Sequence, residues 1–371
     1  MKNTFRALFG VSALALLLVA APVLAAEVDV TAENVMTGAD SDNNNDTDVD
    51  NDLDVNVDNV GNVSNSASAA VTTGNNEQNE NTEGGDVDSG AVDASTDWES
   101  IVNAGAALLD NGDGLEVSAD FSNDTTGADS DNDNDLDVDH DVDLDLRNIA
   151  NILNYLALSA NTGDNEQNKN TMGGELTTGD VTVDSMIANL ANNGAGYASL
   201  GTTQVDVSGS NHLTGADSNN NNDVDVDNDY DLDVDNTANL TTSVVINAHT
   251  GGNEQNRNTQ GGSMTTGNVE VSTKVENSAN NNSSIGIGGS SLAVTVEASN
   301  DTTGADSDND NDVDVDNNVD IDVDNTANVS NNLTVSANTG DNEQNKNTQG
   351  GGVETGSVSI NFEAFNEVNS N

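Results

Sequence analysis

The five residues TGADS occur four times, with their glycines at Gly38, Gly127, Gly215 and Gly304, spaced 89, 88 and 89 residues apart. A second marker, NEQN, keeps the same three spacings, its glutamates being Glu77, Glu166, Glu254 and Glu343. Two unrelated markers holding one period define a four-fold structural repeat. Units of that kind bury their apolar faces against their neighbours rather than in cores of their own. Aromatic residues are 2% of the chain, too few large side chains for one globular core. The expected class is therefore all-β: a four-repeat β-solenoid or layered β array of about 89 residues per repeat, with repeats at about 27–114, 115–202, 203–291 and 292–371. A disordered acidic polymer is the competing reading, since high charge and few aromatics permit it. Strict alternation of valine and aspartate argues against disorder, which has no use for period two.

The chain opens with MKNTFRALFGVSALALLLVAAPVLAAE. Lys2 and Arg6 precede an apolar run, and small residues close it, which reads as a secretory signal peptide spanning 1–26 and cut after Ala25 or Ala26. The run is short for a retained membrane anchor. No second hydrophobic span follows, so no membrane span is expected after cleavage, and the expected location is secreted or cell-surface. The one proline, Pro22, lies in the leader, and the chain has no cysteine. An exported fold without disulfides needs another stabiliser.

Each repeat has the same parts. A short alternating segment, such as EVDVTAENV at 27–35, leads to TGADS and an acidic ladder. An asparagine-spaced segment, SANTGDNEQNKNT or its equivalent, a Gly-Gly pair and a second alternating segment follow. TGADSDNDND and TGDNEQNKNT share a Thr-Gly start and Asn spacing, which suggests two unequal half-units per repeat. Glycine after threonine marks the turns. In the second copy, 146–160 has near-helical leucine spacing, but its fourth-copy equivalent is Thr-, Asn- and Val-rich, so strand and turn are expected in all copies. The stretches 95–114 and 185–201 read as variable insertions on one face, the first as a short helix around Trp98.

Aspartate fills every second position from Asp129 to Asp145. On a strand, alternate residues share a face. Asp223 to Asp235 thus lie on one side, opposite Val224, Val226, Asn228, Tyr230, Leu232 and Val234. One position in the apolar row is polar in every copy: Asn51, His140, Asn228 and Asn317. It reads either as an internal amide ladder or as a surface position at a bend. Carboxylates on stacked strands would lie about 4.8 Å apart, costing roughly 0.9 kcal/mol per pair in water before screening. Dozens of such pairs rival the roughly 5–15 kcal/mol stability of a domain. Either calcium bridges adjacent strands, or ambient salt screens a solvated face with loosely held ions, or the ladders sit apart and never stack. The turn aspartates offer the best candidate ligands, because a turn can bend several oxygens around one ion: Asp40, Asp42, Asp129, Asp131, Asp133, Asp217, Asp306, Asp308 and Asp310. DSDNDND resembles the start of an EF-hand loop but lacks its Gly and closing Glu.

Lys and Arg total 7 against 66 acidic residues, a net charge of −59. No nucleic-acid partner is expected, since phosphates need a basic surface; metal cations are the compatible partners. No nucleophile motif, phosphate loop or zinc spacing occurs, and the histidines His140, His212 and His249 do not recur between copies, so no enzymatic activity is expected. Three cations, Lys169, Arg257 and Lys346, share one repeat position after NEQN, which holds Glu80 in the first copy. Stacked repeats would set Glu80 against Lys169.

The SANTGDNEQNKNTQGG block with its following Thr-Gly turn resembles uncharacterised secreted Asn/Asp/Thr/Gly-rich repeat proteins of bacteria. In composition it is also similar to curlin-type functional amyloid subunits. That resemblance implies a structural role at a surface or in a biofilm matrix, with self-association into fibres. The alternative is an extracellular calcium-binding or adhesive module.

Overall fold

The computed structural model describes residues 5–15, 19–22, 26–103, 107–110, 114–194, 196–199, 202–281, 285–288 and 291–370. The protein is an all-β solenoid of four rungs stacked in parallel and in register. Each rung has a leading arm, a long strand and a trailing arm, and short links lie between successive rungs. The leading arms are Ala26–Val35, Leu115–Asp124, Thr202–His212 and Ser291–Asp301. The long strands are Asp131–Asn161, Asn219–His249 and Asp308–Asn338. In the first rung this strand is divided into Asp42–Asp50 and Leu53–Thr72. The trailing arms are Val92–Val102, Val181–Ala191, Val269–Ala279 and Val358–Val368. The links are Ala107–Asp110, Gly196–Ser199 and Ile285–Gly288. At about 3.3 Å per residue, the 31-residue long strand makes each rung about 100 Å wide, while four rungs rise only about 15 Å.

The arms form a second layer over the long strands. Leu115, Val117 and Phe121 of a leading arm pack with Leu136 and Val138. Val181, Val183 and Ile187 of a trailing arm pack with Leu156, Leu158 and Ala160. Burial alternates residue by residue along Asp131–Asn161, with the apolar and Asn positions inside and the carboxylates outside. This strand runs unbroken from the acidic ladder through 146–160, so the leucines there serve period two. The helix expected within 95–114 is instead the strand Val92–Val102, in which Trp98 is fully buried and in register with Ile187. Its burial also alternates, and a neighbouring rung supplies the partners an isolated helix would lack. The described residues of 95–114 and 185–201 are accordingly parts of the rung rather than insertions. Among the described residues there is no helix, and hence none long and apolar enough to cross a membrane.

Amide stacks run through the interior. Asn34, Asn123, Asn211 and Asn300 form one, each Nδ2 donating to the next Oδ1 at 2.8–3.0 Å. Asn45, Asn134, Asn222 and Asn311 form a second at 2.6–2.8 Å, and Asn123 Nδ2 donates across the layers to Asn134 Oδ1 at 3.0 Å. At the row Asn51, His140, Asn228 and Asn317, the internal reading holds: His140 and Asn228 are buried, and His140 Nδ1 lies 2.9 Å from Asn51 Nδ2. His140 stands edge-on to Tyr230, with ring centroids 5.8 Å apart.

The turns explain the Thr-Gly pairs. A Cβ on Gly127 would stand 2.3 Å from the Ala39 nitrogen of the rung before it, and one on Gly163 would stand 2.0 Å from the Gly251 oxygen of the rung after it. Thr162, Thr250 and Thr339 donate their hydroxyls to Gly179, Gly267 and Gly356 carbonyls at 2.8–2.9 Å, tying two turns together within each rung. The two Thr-Gly turns are the two ends of the long strand, which accounts for the half-unit similarity.

In the segment expected to be a leader, Phe5–Ala15 pairs in parallel with Val92–Val102. The expected cleavage site falls at 23–25, outside the described residues apart from Ala26.

Candidate cation-binding face

Stacking turns each ladder into a grid. Asp46, Asp135, Asp223 and Asp312 fall in one row across the four rungs. Asp48, Asp137, Asp225 and Asp314 form the next row, and Asp50, Asp139, Asp227 and Asp316 the one after. Neighbours are about 4.8 Å apart between rungs and about 6.6–7 Å along a strand. The field is visible in the carboxyls themselves. Burial, then the charges of Asp223, Asp46, Asp133 and Asp137, holds Asp135 above the usual carboxylate range. Asp225 is raised by burial and then by Asp137, Asp314 and Asp227. Asp139, Asp143, Asp223 and Asp229 are raised in the same way. One basic side chain enters the described ladders: Arg147, whose Nη1 lies 3.8 Å from Asp58 Oδ1.

The turn aspartates occupy three kinds of place. Asp40, Asp129, Asp217 and Asp306 sit at the left-handed corner of each turn, with φ of 56°, 57°, 56° and 61°. They are exposed, and the turn is held by the following serine: Ser130 Oγ donates to the Gly127 carbonyl at 2.8 Å, as Ser218 does to Gly215. Asp42, Asp131 and Asp308 open the long strands, in a row completed by Asn219. Asn219 Nδ2 donates to Asp131 Oδ1 at 3.0 Å. Asp133 and Asp310 lie two residues further on, in a row whose other members are Asn44 and Asn221. Asp133 Oδ1 is buried without a hydrogen-bond partner, and burial raises its pKa. Among the described residues no three His, Cys, Asp or Glu side chains converge as a discrete metal site requires. The candidates are arrayed in rows, where an ion would be shared between rungs.

A different face carries the NEQN row. Glu77, Glu166, Glu254 and Glu343 line an open groove beside Lys169, Arg257 and Lys346. Within each of the four rungs the glutamate accepts from the asparagine two residues on, Asn79, Asn168, Asn256 or Asn345. Lys169 Nζ lies 2.9 Å from Glu80 Oε1, the pairing the repeat spacing predicts. That hydrogen bond, and then the lysine charge, lowers the Glu80 pKa. Both side chains are more than half exposed, so the pair adds little stability. All four residues at this position have φ near 60°, a conformation uncommon for long side chains.

The sequence reading missed the paired amide stacks and singled out only the Asn51 row. The signal was present: asparagine recurs at Asn43, Asn132, Asn220 and Asn309 and at Asn45, Asn134, Asn222 and Asn311. Dense aspartate beside it disguised these positions as more of the same polar tract. No known protein family, curated protein or solved structure matches this chain.

Proposed function

We propose that this is a secreted, non-catalytic structural protein of a cell surface or extracellular matrix, whose aspartate grid holds a layer of cations, calcium among them. The observation that carries this reading is the register of the long strands. It sets carboxylate over carboxylate through four rungs, with one arginine among the described ladders to offset them. Such a surface attracts divalent ions by its summed field, and calcium accepts oxygens from several partners in flexible geometry. The ions lie along rows rather than in one closed cage, so the expected stoichiometry is several ions per chain at similar, modest affinity.

Calorimetric titration with calcium chloride tests this, paired with urea unfolding at matched ionic strength. Several equivalent ions bound and a stability gain beyond that given by sodium chloride are expected. No calcium heat and no gain beyond sodium chloride would remove the cation role.

A further inference from the structure

We propose that the protein stacks head to tail, the fourth rung of one copy adding in parallel and in register to the first rung of a second copy. This deepens the structural role proposed above and relies on it only for the cations that screen the joint.

The two ends of the solenoid are unlike its middle. Val313, Val315 and Ile321 on the last rung are 45%, 42% and 41% exposed, whereas Val224, Val226 and Leu232, one rung below, are 3%, 0% and 1% exposed. Asp308–Asn338 pairs along its whole length with Asn219–His249 on one side, and among the described residues nothing pairs with its other side. An uncovered strand of that length is a template for a further strand. The occupant it fits is the first rung of this same chain, because the repeat gives that rung the same spacing of turns and of buried positions. In the continued register Val315 falls over Val49, Ile321 over Val55 and Asn311 over Asn45, while residues 292–301 fall over Ala26–Val35.

Three glycine and asparagine details point to the same partner. Glycine is required at Gly127, Gly215 and Gly304 because the preceding rung's backbone lies within 2.4 Å of where a Cβ would be, yet a Cβ on Gly38 would meet nothing within 4 Å. At the other turn, glycine is required at Gly74, Gly163 and Gly251 by the following rung's carbonyl at 1.8–2.0 Å, yet a Cβ on Gly340 would meet only Asn338 Oδ1 at 3.5 Å. Gly38 faces out of the first rung and Gly340 out of the last. A second copy would bring Gly304 against Gly38 and the Gly74 carbonyl against Gly340, so both glycines serve the joint. In addition, Asn59 Oδ1 is buried with no hydrogen-bond partner. Its equivalents Asn148, Asn236 and Asn325 each accept from the asparagine of the preceding rung. Asn59 is the member of that row whose preceding rung would belong to another copy.

The leader strand bears on the same joint. Phe5–Ala15 lies along Val92–Val102 in the register that Val358–Val368 of a second copy would take. It competes with the joint, and its removal favours stacking.

Sedimentation velocity on the full chain and on the chain beginning at Glu27, in calcium and in EDTA, tests the proposal. The wild type is expected to grow with concentration in calcium, more readily without the leader. Gly38→Ala and Gly340→Ala are each expected to remain single, with unchanged circular dichroism and urea midpoint, because inside one chain the Gly38 Cβ meets nothing and the Gly340 Cβ only the Asn338 side chain at an ordinary van der Waals distance. Mixed one to one, they should give dimers and nothing larger, since each variant keeps one competent face. Gly127→Ala, by contrast, should lose stability in the single chain. A wild type that stays monomeric in both forms overturns the proposal. So do Gly38→Ala and Gly340→Ala variants that assemble as the wild type does. Calcium heat without assembly would remove the stack alone, and assembly in low-salt EDTA would remove the cation layer alone.

Discussion

Replacing Asp225 by asparagine should stabilise this protein, against the usual trend of point substitutions. Asp225 stands in register with Asp137 on one side and Asp314 on the other, and Asp223 and Asp227 flank it along the strand. Rungs are about 4.8 Å apart, so each cross-rung pair costs about 0.9 kcal/mol in bulk water. A Debye length of about 8 Å at physiological ionic strength reduces that to about 0.5 kcal/mol. The flanking aspartates stay near Asp225 in the unfolded chain as well, so their repulsion largely cancels between the two states. The two cross-rung pairs remain, about 1 kcal/mol at physiological salt and about 1.5 kcal/mol near 0.01 M, where the Debye length is about 30 Å. Asparagine fits the position, since Asn219, Asn221 and Asn318 already hold outward-facing places on long strands. Urea unfolding in EDTA at the two salt concentrations gives the measurement. Calcium should shrink the gain, because bound ions already offset the repulsion the substitution removes. An Asp225→Asn protein no more stable than wild type in low-salt EDTA would refute the reasoning that these carboxylates repel across rungs.

Acidity should act in the unusual direction. Asp133, Asp135, Asp139, Asp143, Asp223, Asp225 and Asp229 have folded pKa values raised above their unfolded ones, by burial first. The folded state therefore binds protons more tightly, and the stability this gives is complete below the unfolded value of about 3.9 and is lost as pH rises through the folded values. In low-salt EDTA the urea midpoint should be higher near pH 4 than at pH 7, and a midpoint that falls steadily on acidification would contradict this. His140 has the opposite sign: burial lowers its pKa, so its contribution is lost as pH falls below its unfolded value of about 6.5. Asn134→Ala should cost about 3 kcal/mol, because Asn45 and Asn123 lose an acceptor and Asn222 Oδ1 loses a donor in the interior. A loss under about 1 kcal/mol in urea unfolding would show that water or a shifted neighbour satisfies the stack.

The four-fold period and the alternation of Val224 to Val234 with Asp223 to Asp235 made the strands and their faces legible, because both are properties of one chain's order. The arms were less legible. The stretch around Trp98 suggests a helix when 95–114 is read alone, and becomes a strand only when Val181–Ala191 lies beside it as a partner. The same holds for the candidate ligands. Turn geometry suggested that Asp129, Asp131 and Asp133 would wrap an ion, whereas Asp129 points from a left-handed corner and the other two belong to separate rows. Convergence depends on where the chain goes after the turn, and here it goes straight on for 31 residues.

The acidic ladder also answers a problem of register that a chain like this faces. The apolar interior is made mostly of valine, leucine and alanine, whose contacts distinguish poorly between one alignment of rungs and another. A slip of one residue exchanges the two faces of a strand. Along Asn219–His249 that would carry Asp223, Asp225, Asp227, Asp229, Asp231, Asp233 and Asp235 into the core, and each buried, unpaired charge is costly. A slip of two residues keeps the faces but, in one direction, sets Asn134 against Val224 and, in the other, Leu136 against Asn222, and either breaks the pairing of Asn134 with Asn222. The charges thus forbid odd slips and the amides forbid even ones. Neither device needs a disulfide, a proline or a large aromatic core, and the repulsion that accompanies the first is borne on the one face that water and cations reach.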